Sequence, residues 1–260
     1  MSIANRVGKA AVIAMIAGTV GGAAVIATEI AVARSRKYAQ PDLRLAIRTS
    51  HGDADAPTVR LVMLGDSGAL GVGVEHVVDT VGGTIAANLA AEGHRVELSS
   101  VAVMGARSAD LNTQVSRALL GPRPDVAVIL IGANDATAVR RPDEAAASLG
   151  TAVDRLASAG IEVVVGTCPD LGALRAIAPP LRHIVAWLGR RVARAQVRAV
   201  REAGGTPVDL AAITGPVFRA DAGTLSRDRY HPSADGYRIW AHALMPAVLD
   251  VLSSDDADRA

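Results

Sequence analysis

From residue 59 onward, short apolar segments alternate with alanine-rich helical segments. β-Branched or aliphatic runs, each typical of a strand, occur at 59–64, 96–103, 126–131 and 161–167, with a weaker one near 207–210. Helical patterns separate them, at about 77–92, 108–120, 142–160, 180–204 and 233–252. Strands that are apolar on both faces indicate a sheet covered by helices on both sides. We therefore predict an α/β fold, a three-layer α/β/α sandwich around a mainly parallel central sheet.

Composition narrows the class of protein. Half of the 260 residues are hydrophobic and 20% are charged, which excludes a largely disordered chain. Twenty-seven basic residues against 26 acidic ones give a net charge of +1, which argues against a nucleic-acid partner. The single cysteine, Cys168, excludes an internal disulfide framework and a cysteine-rich metal site. We expect neither a cofactor nor a bound metal.

The N-terminal part contains a long run without charge. The nineteen residues from Ala10 to Thr28 lack Asp, Glu, Lys and Arg. As a helix they would span roughly 28 Å, close to the hydrocarbon thickness of a bilayer. A cleaved signal peptide is the main alternative, because residues 31–33 read Ala-Val-Ala, and a buried core helix is a third. The run exceeds the roughly 7–15 apolar residues usual in a signal peptide, which favours a retained transmembrane anchor within residues 1–33.

The remaining chain divides into three parts. Residues 34–57 mix charges with prolines and predict a tether, with a short helix around 43–48. Residues 58–252 form the main domain, and 253–260 a disordered tail.

We expect membrane contact through residues 10–33 and a domain on the extracytoplasmic side, or a secreted domain after cleavage near Ala33. The basic residues that follow the apolar run would, taken alone, place the domain in the cytoplasm. The oligomeric state stays open.

The first predicted strand is followed by Gly65-Asp66-Ser67, within VRLVMLGDSGALGVGV. Ligands of such sheets bind at the carboxyl ends of the strands, so Ser67 would lie where a nucleophile can meet a substrate. A turn or a phosphate-binding loop would use the same glycines. The G-x-x-x-x-G-K-[ST] pattern is absent, however, and so is the G-x-S-x-G of the ordinary α/β-hydrolase elbow.

Two further polar motifs follow the sheet pattern. Asn134, in Gly-Ala-Asn-Asp after the third strand, can donate N–H bonds to a developing oxyanion. The alternative is an Asx turn or a helix cap, which suits Asp135 better than Asn134. Near the C-terminus, Asp228 precedes His231 by three residues. Imidazole suits a general base near neutral pH, and a carboxylate at this spacing can fix its tautomer.

Together these motifs resemble the SGNH hydrolases, also called GDSL-type esterases, over roughly residues 59–250. Ser67 in GDS matches the nucleophile of that family, and Asp228 and His231 match its last block. Asn134 matches the asparagine of the third block, and Gly105 the glycine of the second. The resemblance implies a flavodoxin-like α/β/α fold and a Ser67–His231–Asp228 triad. It also implies an oxyanion hole made by the N–H groups of Ser67 and Gly105 and by the Asn134 amide.

The chain departs from the family pattern at two places. Ala69 stands two residues after the serine, where the family often has a hydroxyl residue. Val103 and Met104 precede Gly105, where the family usually has an asparagine directly before the glycine. The second departure affects the assignment of Gly105 to the oxyanion hole.

The resemblance implies a serine esterase that acts on short-chain acyl or lipid esters through an acyl-enzyme. An acyltransferase using the same site, tethered to a membrane, is one alternative, and a non-catalytic binding module on the same fold is another. The apolar segment 171–180 and the scarcity of aromatic residues favour acyl chains over carbohydrate as the group that is recognised.

Overall fold

The computed structural model describes residues 47–259. The predicted anchor or signal segment, residues 1–33, lies outside the described residues, as does most of the predicted tether. Within residues 47–259, no helix combines the length and the apolar character needed to cross a bilayer.

One sheet runs through the described residues and contains six strands. They are β1 (Arg48–His51), β2 (Thr58–Gly65), β3 (Arg95–Ser100), β4 (Val126–Leu130), β5 (Glu162–Gly166) and β6 (Thr206–Val208). Their order is β1-β3-β2-β4-β5-β6. The strands from β2 to β6 pair in parallel, and β1 pairs antiparallel to β3 at one edge. The predicted α/β fold with a mainly parallel sheet is therefore confirmed.

Helices connect the strands and cover both faces of the sheet. They are α1 (Ser67–Leu70), α2 (Val81–Ala91), α3 (Leu111–Ala118), α4 (Ala133–Thr137), α5 (Pro142–Ala157), α6 (Leu181–Glu202), α7 (Leu210–Ala220) and α8 (Ala234–Arg259). Short 3₁₀ turns lie at Val77–Asp79, Ser108–Asp110, Leu171–Ala173 and Ala222–Thr224.

The two faces of β2 show how the layers form. Leu61 and Met63 point to one side, where α2 and α8 pack, and Val62 and Leu64 point to the other, where α3, α5 and α6 pack. None of these four side chains is more than 1% exposed. Each buried aliphatic side chain stabilises the fold by about 1.5–3 kcal/mol. A strand buried on both faces needs a helical layer on each side, which is the predicted three-layer sandwich.

Two predicted boundaries are wrong. Residues 48–51, assigned to the tether, form the edge strand β1, and Ile47 beside it is buried. The residues of this edge strand alternate between exposed and half-exposed, and none of them is apolar. The sequence pattern therefore did not indicate a strand there. At the other end, α8 continues to Arg259 through the tail predicted as disordered. That segment contains neither Gly nor Pro, so nothing in it ends the helical hydrogen-bond ladder.

The strand order places the loops that carry the candidate residues. β2 lies between β3 and β4. From β2 the chain continues to β3, toward one edge of the sheet, and from β4 it continues to β5, toward the other edge. Such a reversal opens a crevice at the carboxyl ends of the two strands. Gly65 pairs with Leu130 at these ends, and the N–H of Asp66 donates to the carbonyl of Leu130 at 3.1 Å. The segments containing Ser67 and Asn134 therefore begin side by side.

Candidate active site

A fixed turn holds Ser67 at the end of β2. Gly65 has a φ of +131°, and a Cβ at this position would overlap the carbonyl of Leu130, so only glycine fits. The buried amide of Gln114 accepts from the N–H of Gly65 at 2.7 Å and donates to its carbonyl at 2.9 Å. Asp66 then caps α1 by accepting from the N–H of Gly68 at 2.9 Å. Ser67 follows directly and is half-buried at the crevice.

The loop before α8 holds His231 and Asp228 together. Oδ2 of Asp228 lies 2.7 Å from Nδ1 of His231, and both side chains are less than 10% exposed. Oδ1 of Asp228 accepts three further hydrogen bonds, from the Ser226 hydroxyl at 2.8 Å and from the N–H groups of Tyr230 and His231 at 2.8 and 2.9 Å. With four donors around it, the carboxylate has one orientation.

Ser67 and His231 complete the arrangement, since Oγ of Ser67 lies 3.1 Å from Nε2 of His231. Burial pushes the pKa of Asp228 upward, but the hydrogen bonds from His231, Tyr230 and Ser226 outweigh it and lower the pKa to about 2. Asp228 is therefore ionised at neutral pH and favours the proton on Nδ1 of His231. Nε2 is then the acceptor that faces the serine hydroxyl.

The structure also brings Asn134 to this edge. Nδ2 of Asn134 donates to the carbonyl of Ala106 at 3.0 Å and lies 3.4 Å from Oδ2 of Asp66. These contacts join the loops that follow β2, β3 and β4. Gly105 directly precedes Ala106, has a φ of +75° and is exposed. Among the contacts of the described residues, none joins Gly105 to Ser67.

Sequence reasoning missed the environment of Asp66. This side chain is 6% exposed, and burial raises its pKa to about 7, with the N–H of Gly68 opposing the shift and the nearby Asp135 adding to it. Asp135 is buried as well and accepts from the hydroxyl and the N–H of Ser108 at 2.9 and 3.0 Å. The sequence predicted an Asx turn or a helix cap for Asp135, whereas the structure joins it to Ser108 in the segment that follows β3, and α4 has no side-chain cap. No sequence pattern indicates that a carboxyl group after a strand will be buried.

We expect the Asp66→Asn variant to lose part of the pH dependence of stability. Between pH 3.8 and about 7 the folded chain retains a proton on Asp66 that the unfolded chain releases. The free energy of unfolding therefore falls as the pH rises through this window, by about 4 kcal/mol in total from this group. Urea unfolding of both proteins across the window measures the two slopes. Equal slopes would show that Asp66 titrates normally. The lowered pKa of Asp228 acts in the opposite sense and below this window.

An apolar pocket with a cavity volume of about 60 Å³, partly open to solvent, begins at Ser67 and His231. Its walls come from the 3₁₀ turn at 171–173, from α7 and from the start of α8. The apolar side chains that line it include Leu171, Leu174, Leu210, Phe218, Leu225 and Trp240. Thr167 also lines it, and the hydroxyl of this fully buried residue has no hydrogen-bond partner.

Cys168, at the end of β5, takes no part in this chemistry. It is fully buried, and burial raises the pKa of its thiol well above the ordinary value. A thiol that stays protonated is a poor nucleophile. The amide of Gln196 holds this strand end by accepting from the N–H of Cys168 at 2.8 Å and donating to the carbonyl of Ile131 at 3.1 Å.

A serine, an imidazole and a carboxylate in one hydrogen-bonded line, at the carboxyl edge of a sheet between two helical layers, have the arrangement of the serine hydrolases. The comparison with known families agrees, since the model of the GDSL-like lipase/acylhydrolase family matches residues 63–239. The chain belongs to this family, and the resemblance found from the sequence motifs is confirmed.

Individual relatives agree with this assignment. The chain is 46% identical over 198 residues to a GDSL-like esterase of Mycobacterium tuberculosis, a match that covers 75% of this chain and 63% of the relative. The solved structure of TesA matches with a TM-score of 0.61 and 18% identity, over 74% of this chain and 99% of that one. A mutant of Axe2, an acetyl-xylooligosaccharide esterase of Geobacillus, matches with a TM-score of 0.57 and 22% identity, over 76% and 95%. At these identities the two solved structures support the fold alone.

Proposed function

We propose that this protein is a serine esterase that hydrolyses carboxylic esters with short acyl chains or lipid-like acyl groups. The observation that carries the proposal is the hydrogen-bonded line from Ser67 through His231 to Asp228, which opens into an apolar pocket. The family and the GDSL-like esterase at 46% identity support ester bonds as the target.

In the proposed mechanism His231 takes the proton of Ser67 through Nε2 as the serine oxygen attacks the ester carbonyl. Asp228 orients His231 and stabilises the imidazolium that forms. The alcohol leaves with the proton from His231, and an acyl-enzyme remains on Ser67. Water, activated by His231, then releases the acid and restores the serine.

Charge develops on the carbonyl oxygen during both steps. We propose that the N–H groups of Ser67 and Gly105 and the amide of Asn134 stabilise it. The contact between Asn134 and the carbonyl of Ala106 aligns the amide with the loop that carries Gly105. Burial raises the pKa of Asp66 to about 7, so its carboxyl group is mostly neutral only below that pH. In the neutral form it places no negative charge beside the position proposed for the oxyanion.

The lining of the pocket supports an acyl group rather than a sugar as the part that is recognised. Phe218 and Trp240 stack on each other, with ring centroids 5.8 Å apart, so each of the two rings has one face covered by the other. The aliphatic side chains of Leu171, Leu174 and Leu210 line the rest. Such a surface favours the burial of methylene groups, each worth about 0.8 kcal/mol.

A substrate panel tests the proposal. Esters of increasing acyl length, acetylated sugars and a thioester are incubated with the full chain, and both the free acid and any transferred ester are measured. Free acid from the acyl esters supports hydrolysis, and a transferred ester as the main product supports the acyltransferase alternative. A fluorescent organophosphonate that labels Ser67 excludes the binding-module alternative. Absence of both labelling and turnover would contradict the proposed enzyme.

We also propose that residues 10–33 hold the domain at a membrane, on its extracytoplasmic side, as expected from the uncharged run in the sequence. Secretion after cleavage near Ala33 is the alternative. Neither proposal depends on the chemistry at Ser67.

A further inference from the structure

The outward face of α6 carries five exposed arginines, which are Arg190, Arg191, Arg194, Arg198 and Arg201. At 100° per residue they lie within about a third of the helix circumference, in a strip about 17 Å long. The strip is a local feature, because the net charge of the whole chain is only +1.

Within residues 47–259, these arginines have no acidic partners. Among the described residues, none of the five forms a salt bridge with a carboxylate. Nε of Arg194 donates to the backbone carbonyl of Arg190 at 3.1 Å, and the single acidic residue of α6 is Glu202, at its C-terminal end. Five guanidinium groups on one face repel one another, and an anionic surface would relieve that repulsion.

The strip continues into an apolar end. Trp187 is 48% exposed and lies on the same stripe one turn before Arg190 and Arg191, with the guanidinium of Arg191 4.8 Å from its ring centre. Ile184, nearby, is 42% exposed. Tryptophan is favoured at the boundary between lipid and water, where an apolar ring and a polar N–H can both be satisfied. Arginines beside exposed tryptophan and isoleucine are typical of a helix lying on a membrane surface.

The opposite face of α6 packs against the pocket. Val185 and Gly189 are buried there, and a Cβ at Gly189 would lie 3.1 Å from Cδ1 of Leu171, which lines the pocket. One helix thus separates the basic strip from the pocket wall. A partner on the strip would lie about 10 Å, the diameter of a helix, from that wall.

We propose that Ile184, Trp187 and the five arginines form a docking surface, here called the α6 face, for a bilayer that contains anionic phospholipids. The arginines pair with lipid phosphates, for which the planar guanidinium supplies two parallel hydrogen bonds. Trp187 and Ile184 enter the headgroup layer beside them. Exposed Ile184 favours a bilayer over a nucleic acid, because phosphates and bases would satisfy the arginines and Trp187 but not an isoleucine. This interaction is separate from the ester chemistry at Ser67 and from the predicted N-terminal anchor.

Trp187 provides a direct test. The chain has two tryptophans, and the other, Trp240, is only 7% exposed. The full chain is titrated with vesicles of brominated phosphatidylcholine, or of equal parts of brominated phosphatidylglycerol and phosphatidylcholine, and tryptophan fluorescence is recorded. We expect quenching by the anionic vesicles and little by the neutral ones. The Trp187→Phe variant should show no quenching, which identifies the residue that contacts lipid. An inserted N-terminal anchor adds no signal, because it contains no tryptophan.

A matched pair of triple variants tests the charges. R190Q/R194Q/R198Q removes three arginines from the α6 face, and R48Q/R117Q/R123Q removes three exposed arginines near the other edge of the sheet. Each arginine near an anionic surface strengthens binding about fivefold, so the first variant should bind about 100-fold more weakly by Trp187 quenching, and the second should bind like the wild type. All six side chains are exposed, so both variants should fold, as circular dichroism will show.

Three results would overturn the proposal. Equal quenching by neutral and anionic vesicles would show that charge does not direct the contact. Unchanged quenching in R190Q/R194Q/R198Q would place the lipid contact elsewhere. Arginine-dependent binding to a single-stranded RNA, without quenching by anionic vesicles, would assign the α6 face to nucleic acid instead.

Discussion

Replacement of Ser67 by alanine should remove ester hydrolysis while the fold remains. The hydroxyl that lies 3.1 Å from Nε2 of His231 is the proposed nucleophile, whereas the hydroxyl of Ser226 donates to the carboxylate of Asp228. Loss of the nucleophile in a triad costs about 10⁶-fold in turnover. Hydrolysis of a chromogenic short-chain ester measures the loss. Turnover at the wild-type rate would remove Ser67 from the mechanism.

The control separates chemistry from folding. Ser67 is only half-buried, so its alanine variant should unfold within about 1 kcal/mol of the wild type. Ser116 on α3 provides a matched substitution, since its hydroxyl donates to the carbonyl of Asn112 and lies outside the site. The Ser116→Ala variant should keep full activity. A comparable loss in that variant would indicate that the assay reports folding and not nucleophilic attack.

The proximity of the candidate residues that follow β2 and β4 could be predicted because parallel strands end at one edge of the sheet. The polar residues that follow β2 and β4 had to meet there, whatever the lengths of the helices between them. Ser67, His231 and Asp228 are joined by direct hydrogen bonds as predicted, and Asn134 reaches the same edge. For Gly105 the role stays a prediction.

The strands were predictable to different extents for a physical reason. β2 and β4 are buried on both faces, so their apolar runs match the observed bounds within one or two residues. β3 ends at Ser100, before the predicted Val103, although the N–H groups of Val101 and Val103 still donate to the carbonyls of Met63 and Gly65 on β2. The side chain of Val103 is exposed there. The apolar pattern alone does not show where pairing stops.

One local feature and several that depend on tertiary packing were not predicted. The predicted helix over 77–92 divides at Thr80, whose hydroxyl accepts from the N–H of Gly83 and caps α2. The buried amides of Gln114 and Gln196 fix the ends of β2 and β5, yet each looks like an ordinary polar residue of a helix. The pocket is formed by segments that are far apart in the chain, from Asp66 to Trp240. Their proximity follows from the packing of α7 and α8.

The Asp228→Asn variant should lose most of its activity although its shape is preserved. Three donors, the Ser226 hydroxyl and the N–H groups of Tyr230 and His231, surround Oδ1 of Asp228. The asparagine oxygen must stay with these donors, so its NH₂ group faces Nδ1 of His231. That group can only donate, which forces the proton of the neutral imidazole onto Nε2. The imidazole then cannot accept the proton of Ser67, and the same change in a chymotrypsin-type triad lowers turnover by about 10⁴.

This prediction distinguishes the tautomer from a general electrostatic effect. If the charge of Asp228 mattered only as a distant negative group, its loss would weaken catalysis by a much smaller factor, because the site is partly open to water. Turnover of Asp228→Asn within tenfold of the wild type would therefore contradict the assigned roles. NMR of the imidazole ring gives an independent measurement, with the proton expected on Nδ1 in the wild type and on Nε2 in the variant. Together, the rate and the position of the proton show whether His231 acts on Ser67 as a base that Asp228 orients.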